Sequence, residues 1–305
     1  MARFIIRRLG LMIIALWVVV TVTFFLAHMI PGGPFDREKP VPEAIKKNLE
    51  EKYHLNEPMW KQYILYLNDV LHGDLGPSFK YPDRTVNDII KESFPISAEL
   101  GFWVVIIATV VGISLGSISA LHQGKIIDST SMFFAILFIS LPSFVIAPIF
   151  QYIFGVKLHW LPVANWGSWK HMILPAFSLA LGPTAVIARL TRASMLEVLS
   201  NDYVKAAKAR GLSGIRVLII YALKNALIPV VTYLFPLIAA IFTGSFVVEK
   251  IFNIPGLGRY YVTSIYNRDY TVILGVTVFY AAFLILMNLL ADLTYALLDP
   301  RIRYE

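Results

Sequence analysis

Residues that bind metals or carry out covalent chemistry are few in this sequence and form no recognisable site. Cysteine is absent, which removes thiolate ligands and disulfides. Two imidazoles four residues apart on one helix face would suit a metal ion, and the histidines lack this spacing. They are His28, His54, His72, His122, His159 and His171. We therefore expect no metal site and no cofactor-binding residue in the chain.

Nucleotide binding is not indicated either. The motif G-x-x-x-x-G-K-[ST], whose backbone and lysine hold phosphates, does not occur in the sequence. The nearest glycine motif, PGLGR at 255–259, lacks the lysine and is explained by a tight turn. No nucleophile, base and orienting residue can be placed together, so a membrane-embedded hydrolase is not favoured and no catalytic residue is expected.

One polar stretch stands out, NDYVKAAKARGLSG at residues 201–214. Asn201 or Asp202 suits a helix start, and basic residues suit the last turn of a helix. Gly211 suits the left-handed position that follows a helix end. These features predict a short helix within residues 201–212.

The surface of this predicted helix is the chain's candidate interaction site. Tyr203, Ala206, Ala207 and Arg210 share a face at helical spacing, and the paired alanines let another body approach the backbone closely. A helix of about ten residues is marginal alone, so something must pack on it. Two alternatives remain open from the residues alone: a protein partner, or a basic connector lying on lipid headgroups.

The elements around this helix are those of a membrane protein. The chain has 305 residues, of which 57% are hydrophobic and 15% charged. Because a bilayer needs about 20 apolar residues per helix, the sequence predicts an all-α fold with six membrane spans. They are Leu9–Ile30, Ala98–Leu121, Ser129–Val156, Met172–Ala188, Leu227–Val248 and Thr271–Ala291.

Basic residues set the predicted orientation. With the N-terminus inside, the cytoplasmic segments carry 13 Lys and Arg residues and the two short outside loops carry 5. Seven of the 13 lie in residues 189–226, where burial in the bilayer would cost on the order of 20 kcal/mol. Both termini are therefore expected in the cytoplasm. The net charge of +7 is explained by this topology and does not indicate nucleic-acid binding.

The predicted organisation has three parts. Residues 1–30 form the N-terminal segment and the first span, residues 31–97 an external helical cap, and residues 98–305 a five-helix core with the cytoplasmic helix. Within the cap, a helix is predicted from Pro42 to Tyr53, and a second one has apolar residues at helical spacing. These residues are Trp60, Ile64, Leu67 and Leu71.

A secondary transporter or channel is the alternative function. Such a protein is expected to carry buried carboxylates or histidines as an ion pathway, and the interiors of the predicted spans supply none. Glu99 and Asp292 lie near span ends and are expected to be interfacial. Glycine and proline are frequent in spans three to five, which fits either generic packing or bent helices around a substrate path.

The sequence resembles a known family along nearly its whole length. KAAKARG places Ala206, Ala207 and Gly211 at the spacing of E-A-A-x-x-x-G, the cytoplasmic motif of permease subunits in ATP-binding-cassette (ABC) importers, with Lys205 where glutamate often stands. Other segments are similar to the B-type branch of oligopeptide and dipeptide permeases. They include FIIRRLG, MIPGGPF, YHLNEP, LHGDLGPSFKY, LPSFVIAP, RLTRASMLEVL, GSFVVEKIFNIPGLGRYYVTSIYNRDY and LLDPRIRY.

The resemblance implies a fold of the type I ABC importer permease kind in a prokaryotic plasma membrane. It implies a second permease subunit, two ABC ATPase subunits that bind ATP and Mg²⁺, and an external binding protein that delivers peptide. It also implies that residues 201–212 are the coupling helix, with Tyr203, Ala206, Ala207, Arg210 and Gly211 as the ATPase-coupling residues. The chain itself would be a transport subunit and not an enzyme.

The purified chain alone is expected to show no ATPase activity above background, because it has no phosphate-binding loop. Phosphate release should be measured with and without added ATPase subunits. Hydrolysis that persists after every other subunit has been removed would contradict the prediction.

Overall fold

The computed structural model describes residues 2–29, 56–81, 83–213, 216–243 and 245–298. These residues are mostly helical and include no β-strand. The helices are α1 (Ala2–Met29), α2 (Met59–Leu71), α3 (Val86–Leu121), α4 (Ile126–Ser140), α5 (Ser143–Phe150), α6 (Trp169–Ser200), α7 (Asp202–Ala209), α8 (Lys224–Ala226), α9 (Ile228–Phe242), α10 (Phe246–Ile251), α11 (Leu257–Asn267) and α12 (Tyr270–Leu298). Two π-helical segments, Gln151–Lys157 and Val217–Leu223, continue α5 and precede α8.

The predicted membrane fold is confirmed. Within the described residues, five segments are long and apolar enough to cross a bilayer, and a bent pair of helices makes a sixth when it is counted as one span. The five are Ile6–Met29, Val86–Leu121, Trp169–Ser200, Ile228–Ile251 and Tyr270–Thr294. The chain is thus an all-α polytopic membrane protein.

The bent pair occupies the predicted third span. Helix α4 and the segment Ser143–Lys157 meet at an angle of 102°. Pro142 causes the break, because it lacks a backbone donor and forces Leu141 before it into an extended conformation, with ψ at 116°. The predicted span Ser129–Val156 is therefore two helices and not one straight rod.

The chain forms two compact units. The first unit comprises the described parts of residues 1–96 and 256–285. Its core contains Phe24 and Ala27 of α1 and Tyr270 and Leu274 of α12. Asp269, fully buried, fixes the loop before α3, because it accepts hydrogen bonds from Ser78 Oγ at 2.5 Å and from the amides of Phe79 and Lys80 at 3.2 Å each.

The second unit comprises the described parts of residues 97–255 and 286–303. Here α4, α5 and α9 pack on α6. Glycine allows α3 to approach α6 closely: a β-carbon at Gly116 would lie 2.5 Å from the Ala188 carbonyl oxygen and 2.6 Å from Thr191 Cβ. Gly112, one turn earlier, is equally tight against Ile187, and such small-residue contacts are typical of helix pairs in membranes.

A buried carboxylate lies directly after the predicted fifth span, which ends at Val248. Glu249 in α10 is 1% exposed. Its Oε1 accepts a hydrogen bond of 2.9 Å from Ser97 Oγ. The two residues are 152 positions apart, so no local pattern indicates that a hydroxyl is available to the carboxylate.

The predicted cap is described in part. The helix expected around Trp60 and Leu71 is confirmed as α2, whereas the one expected from Pro42 to Tyr53 lies outside the described residues. The three-part division of the chain at residues 30 and 97 stays a prediction.

Substituting Gly116 by alanine is expected to destabilise the protein. The added methyl group would push α3 from α6, and overpacking of this kind costs about 1 to 3 kcal/mol. Gly10→Ala is the matched control, because a β-carbon at Gly10 in α1 would have no atom of the described residues within 4 Å. Thermal stability in detergent should fall for Gly116→Ala and not for Gly10→Ala; equal melting temperatures would refute the close-contact interpretation.

Candidate coupling site

Helix α7 is the predicted polar helix, and its ends follow from local chemistry. The Asn201 carbonyl accepts hydrogen bonds from the amides of Val204 at 3.1 Å and Lys205 at 3.2 Å, which starts the helix. The Arg210 amide donates to the Ala206 carbonyl at 3.1 Å, and Gly211 then takes a φ of +78°. This left-handed conformation ends the helix, as the position of the glycine predicts.

One side of α7 packs against the chain itself. Val204 is fully buried and Ala207 is 4% exposed. Both belong to an apolar cluster, called the docking cluster below, that joins α7 to the end of α3, the last turns of α6 and the segment after α7. Its other buried members are Ala120, Met195, Val198, Val217, Ala222 and Ala226. Helix α7 is too short to be stable alone, and its packing in this cluster stabilises it.

The opposite side of α7 is open to solvent or to another molecule. Tyr203 is 42% exposed, and Ala206 and Arg210 are also exposed. Tyr203 is held in place because its hydroxyl accepts a hydrogen bond of 2.9 Å from Asn225 Nδ2. The structure thus separates the paired alanines that the sequence placed on one face: Ala206 points out, and Ala207 lies in the docking cluster.

A partly buried ion pair joins α4 to the end of α6, and the sequence contains no hint of it. Asp128, at the start of α4, is 4% exposed. Its carboxylate accepts hydrogen bonds from Arg192 Nε at 2.6 Å and Arg192 Nη2 at 2.8 Å, and from Ser119 Oγ at 2.5 Å and the Gly124 amide at 3.0 Å. Four donors compensate the carboxylate for the loss of water.

The ion pair links α4 to the same end of α6 that carries α7. Arg192 lies one turn before Met195, which is fully buried in the docking cluster. Asp128 and Arg192 are 64 residues apart, so no local sequence pattern connects them. A displacement of α7 would therefore be passed to α6 through packing and to α4 through a bidentate ion pair.

The chemistry of the site is that of a contact surface. In the described part of the chain, no three His, Asp or Glu side chains are grouped as ligands of a metal ion would be. The charged groups exposed on α7 and just after it include Lys205, Arg210 and Arg216, with Asp202 paired to Lys205 at 3.0 Å. Such exposed pairs contribute little stability, so this side is suited to a partner and not to holding the fold.

Known proteins resemble the chain over its full length. The dipeptide transport system permease protein DppB of Bacillus subtilis is 50% identical over 99% of this chain and 98% of its own length. The oligopeptide transport system permease proteins OppB of Haemophilus influenzae and Escherichia coli K12 are each 44% identical over the whole of both chains.

Solved structures show the same fold at low identity. The permease fold matches an inward-facing methionine ABC transporter, MetNI, with a TM-score of 0.58 and 16% identity over 69% of this chain and 96% of that chain. An amino acid ABC transporter matches with a TM-score of 0.53 and 15% identity over 68% of this chain and 93% of that chain.

Family models cover both parts of the sequence. The model of the N-terminal part of binding-protein-dependent transport system membrane components matches residues 1–101. The model of the inner membrane component itself matches residues 112–304. Together with the type I importer permease fold, these matches show that the chain belongs to the family of inner membrane permease components of binding-protein-dependent ABC importers.

Proposed function

We propose that this chain forms half of a translocation path for peptides in an ATP-driven importer. The observation that carries the proposal is 44% to 50% identity over the full chain to permeases of dipeptide and oligopeptide systems. A second, different permease subunit supplies the other half of the path. An external binding protein delivers the peptide.

The energy source lies on other subunits. The sequence has no phosphate-binding loop, which supports a pair of ABC ATPase subunits that bind ATP and Mg²⁺. The excess of basic residues beside α7 supports a cytoplasmic position for that helix and for both termini. In this orientation residues 31–97 form an external cap on a multi-pass protein of a prokaryotic plasma membrane.

Helix α7 is the coupling helix of this proposal. Its exposed residues Tyr203, Ala206 and Arg210 contact an ATPase subunit. Ala207 acts from the other side, because its burial in the docking cluster fixes the helix to the chain. Gly211 ends the helix by its left-handed conformation.

Movement of the ATPase pair then changes the shape of the permease. Nucleotide-driven closure displaces α7, and the docking cluster carries the displacement to α6. The Asp128–Arg192 pair carries it on to α4. Access to the path alternates because two packings of the helices are stabilised to different degrees by the state of the distant ATPases.

The proposed orientation predicts opposite labelling of two positions. The chain has no cysteine, and both His72 after α2 and Ser213 after α7 are exposed. His72→Cys should react with a membrane-impermeant maleimide in intact cells, whereas Ser213→Cys should react only after the membrane is opened. The parent chain controls for background, and the reverse pattern would contradict the orientation.

The coupling proposal predicts that the same substitution at adjacent alanines has different effects. Ala206→Trp adds bulk to the exposed face and should block ATPase docking without harming the fold. Ala207→Trp adds the same bulk to the docking cluster, where overpacking costs about 1 to 3 kcal/mol. The first variant should keep its melting temperature and lose ATPase co-purification or peptide-stimulated hydrolysis; the second should lose thermal stability.

Two further variants separate coupling from headgroup binding. Lys205→Ala should have little effect on coupling if α7 binds a protein. If α7 instead lies on lipid headgroups, the substitution should weaken that attraction, to which each basic residue contributes about 1 kcal/mol. Gly211→Val should impair coupling, because a β-branched residue resists a positive φ.

Normal stimulated hydrolysis and peptide uptake in the Ala206→Trp variant would overturn the proposed contact between α7 and an ATPase subunit.

A further inference from the structure

Helix α2 exposes an apolar stripe, formed by the residues that recur at helical spacing in the sequence. Trp60 is 64% exposed, Ile64 55% and Leu71 84%, and Leu67 on the same face is half-buried. They recur at i, i+4, i+7 and i+11, so they form one continuous row along the helix. A continuous apolar row that is not covered by the described part of the protein marks a site of interaction with another molecule.

The residues of α2 that face α1 include Tyr63 and Tyr66. The hydroxyls of Tyr63 and Thr21 of α1 are hydrogen-bonded at 2.6 Å. The Tyr66 ring stacks on Phe24 of α1 at 5.7 Å between centroids, and Tyr63 meets the same ring at 5.4 Å. Burial raises the pKa of the Tyr66 hydroxyl well above its usual range. Because Tyr63 and Tyr66 face α1, the apolar stripe lies on the adjoining side of α2 and does not face α1.

A third side of α2 borders a cavity of about 650 Å³. Gln62, Leu65, Tyr66 and Asp69 line it from α2. The exposed polar residues Lys61 and Asn68 lie between the cavity side and the stripe, at about 100° and 80° from Trp60 around the helix. One apolar side of α2 therefore packs on α1 and the adjoining apolar side is bare, while the remainder is polar except for Leu65.

The contact with α1 fixes the depth of α2 relative to the membrane. The apolar part of α1, Ile6–Met29, has 24 residues and is about 36 Å long, against about 30 Å for a bilayer core. Thr21 lies eight residues before Met29, or about 12 Å along the axis. Because Tyr63 is bonded to Thr21, α2 lies beside the last third of a membrane-crossing helix and not beyond its end.

Apolar surface on α1 is continuous with the stripe at this depth. Val22 is 50% exposed, Leu26 57% and Met29 76%. Phe25, 38% exposed, meets the Tyr63 ring at 5.5 Å between centroids and so bridges the two surfaces. Tryptophan and tyrosine, both present on α2, are enriched where a membrane meets water.

We infer that α2 is an interfacial helix whose Trp60, Ile64 and Leu71 lie against the acyl chains of the adjacent bilayer leaflet. Its partner is phospholipid. Lys61, Asn68 and Asp69 remain in the headgroup region or in water. The helix is thereby held by α1 on one side and by lipid on the next, which is the arrangement of an amphipathic helix lying in the plane of the interface.

Collision of a spin label with oxygen and with a nickel chelate tests this inference, since oxygen concentrates in lipid and the chelate in water. Single cysteines at Trp60, Ile64 or Leu71, with Asn68→Cys as the matched control on the polar side, would be labelled in the full-length chain. The chain, with the subunits that co-purify with it, would be placed in phospholipid nanodiscs. The labelled parent without an introduced cysteine gives the background.

The expected result is a reversal within one helix. Labels at 60, 64 and 71 should collide more often with oxygen than with the chelate, and the label at 68 more often with the chelate. Low collision rates with both reagents at the stripe would show that protein covers it, and chelate-dominated rates there would show that water does. Either of these outcomes would overturn the inference.

Discussion

Exclusion of unpaired charge from the hydrocarbon interior is the constraint on which the arrangement of this chain depends. The basic residues between α6 and α9 lie outside the apolar segments that are long enough to cross a bilayer, and they form a polar stretch that contains α7. Carboxylates that do enter the protein are compensated: Asp128 receives four hydrogen bonds, two of them from Arg192, and Glu249 accepts a hydrogen bond from Ser97. Burial without such partners would cost several kcal/mol per group.

Helix packing in this protein relies on small residues, because the hydrophobic effect does not drive helices together within lipid. Helices in a bilayer associate through close contact and hydrogen bonds, and glycine or alanine lets their backbones meet. Gly112 and Gly116 serve this purpose between α3 and α6. Ala207 serves a similar purpose in α7, where its small side chain is buried in the docking cluster.

Periodicity and composition predicted the positions of the helices well and the contacts between the helices poorly. Apolar length located the membrane segments, and Gly211 located the end of α7, because both signals are local. The Asp128–Arg192 pair could not be foreseen, since its members are 64 residues apart and one sequence carries no record of contact. The direction of Ala207 was missed for a related reason, and the sequence could not indicate what covers the apolar row of α2. A row of apolar residues indicates that something covers it, but not whether the cover is protein or lipid.

The close crossing of α3 and α6 makes α6 a lever with unequal arms. If Gly116 holds α6 at Ala188, the arm that ends at Ser200 is about 18 Å long and the other about 28 Å, so a tilt of the helix moves the far end about 1.5 times as far. The two arms also differ in stiffness. The short arm contains no proline, whereas the long arm contains Pro175 and Pro183, each of which removes a backbone hydrogen bond. Under the proposed coupling, a force applied beside α7 would reach the crossing through a proline-free segment and then act on a segment that contains two prolines.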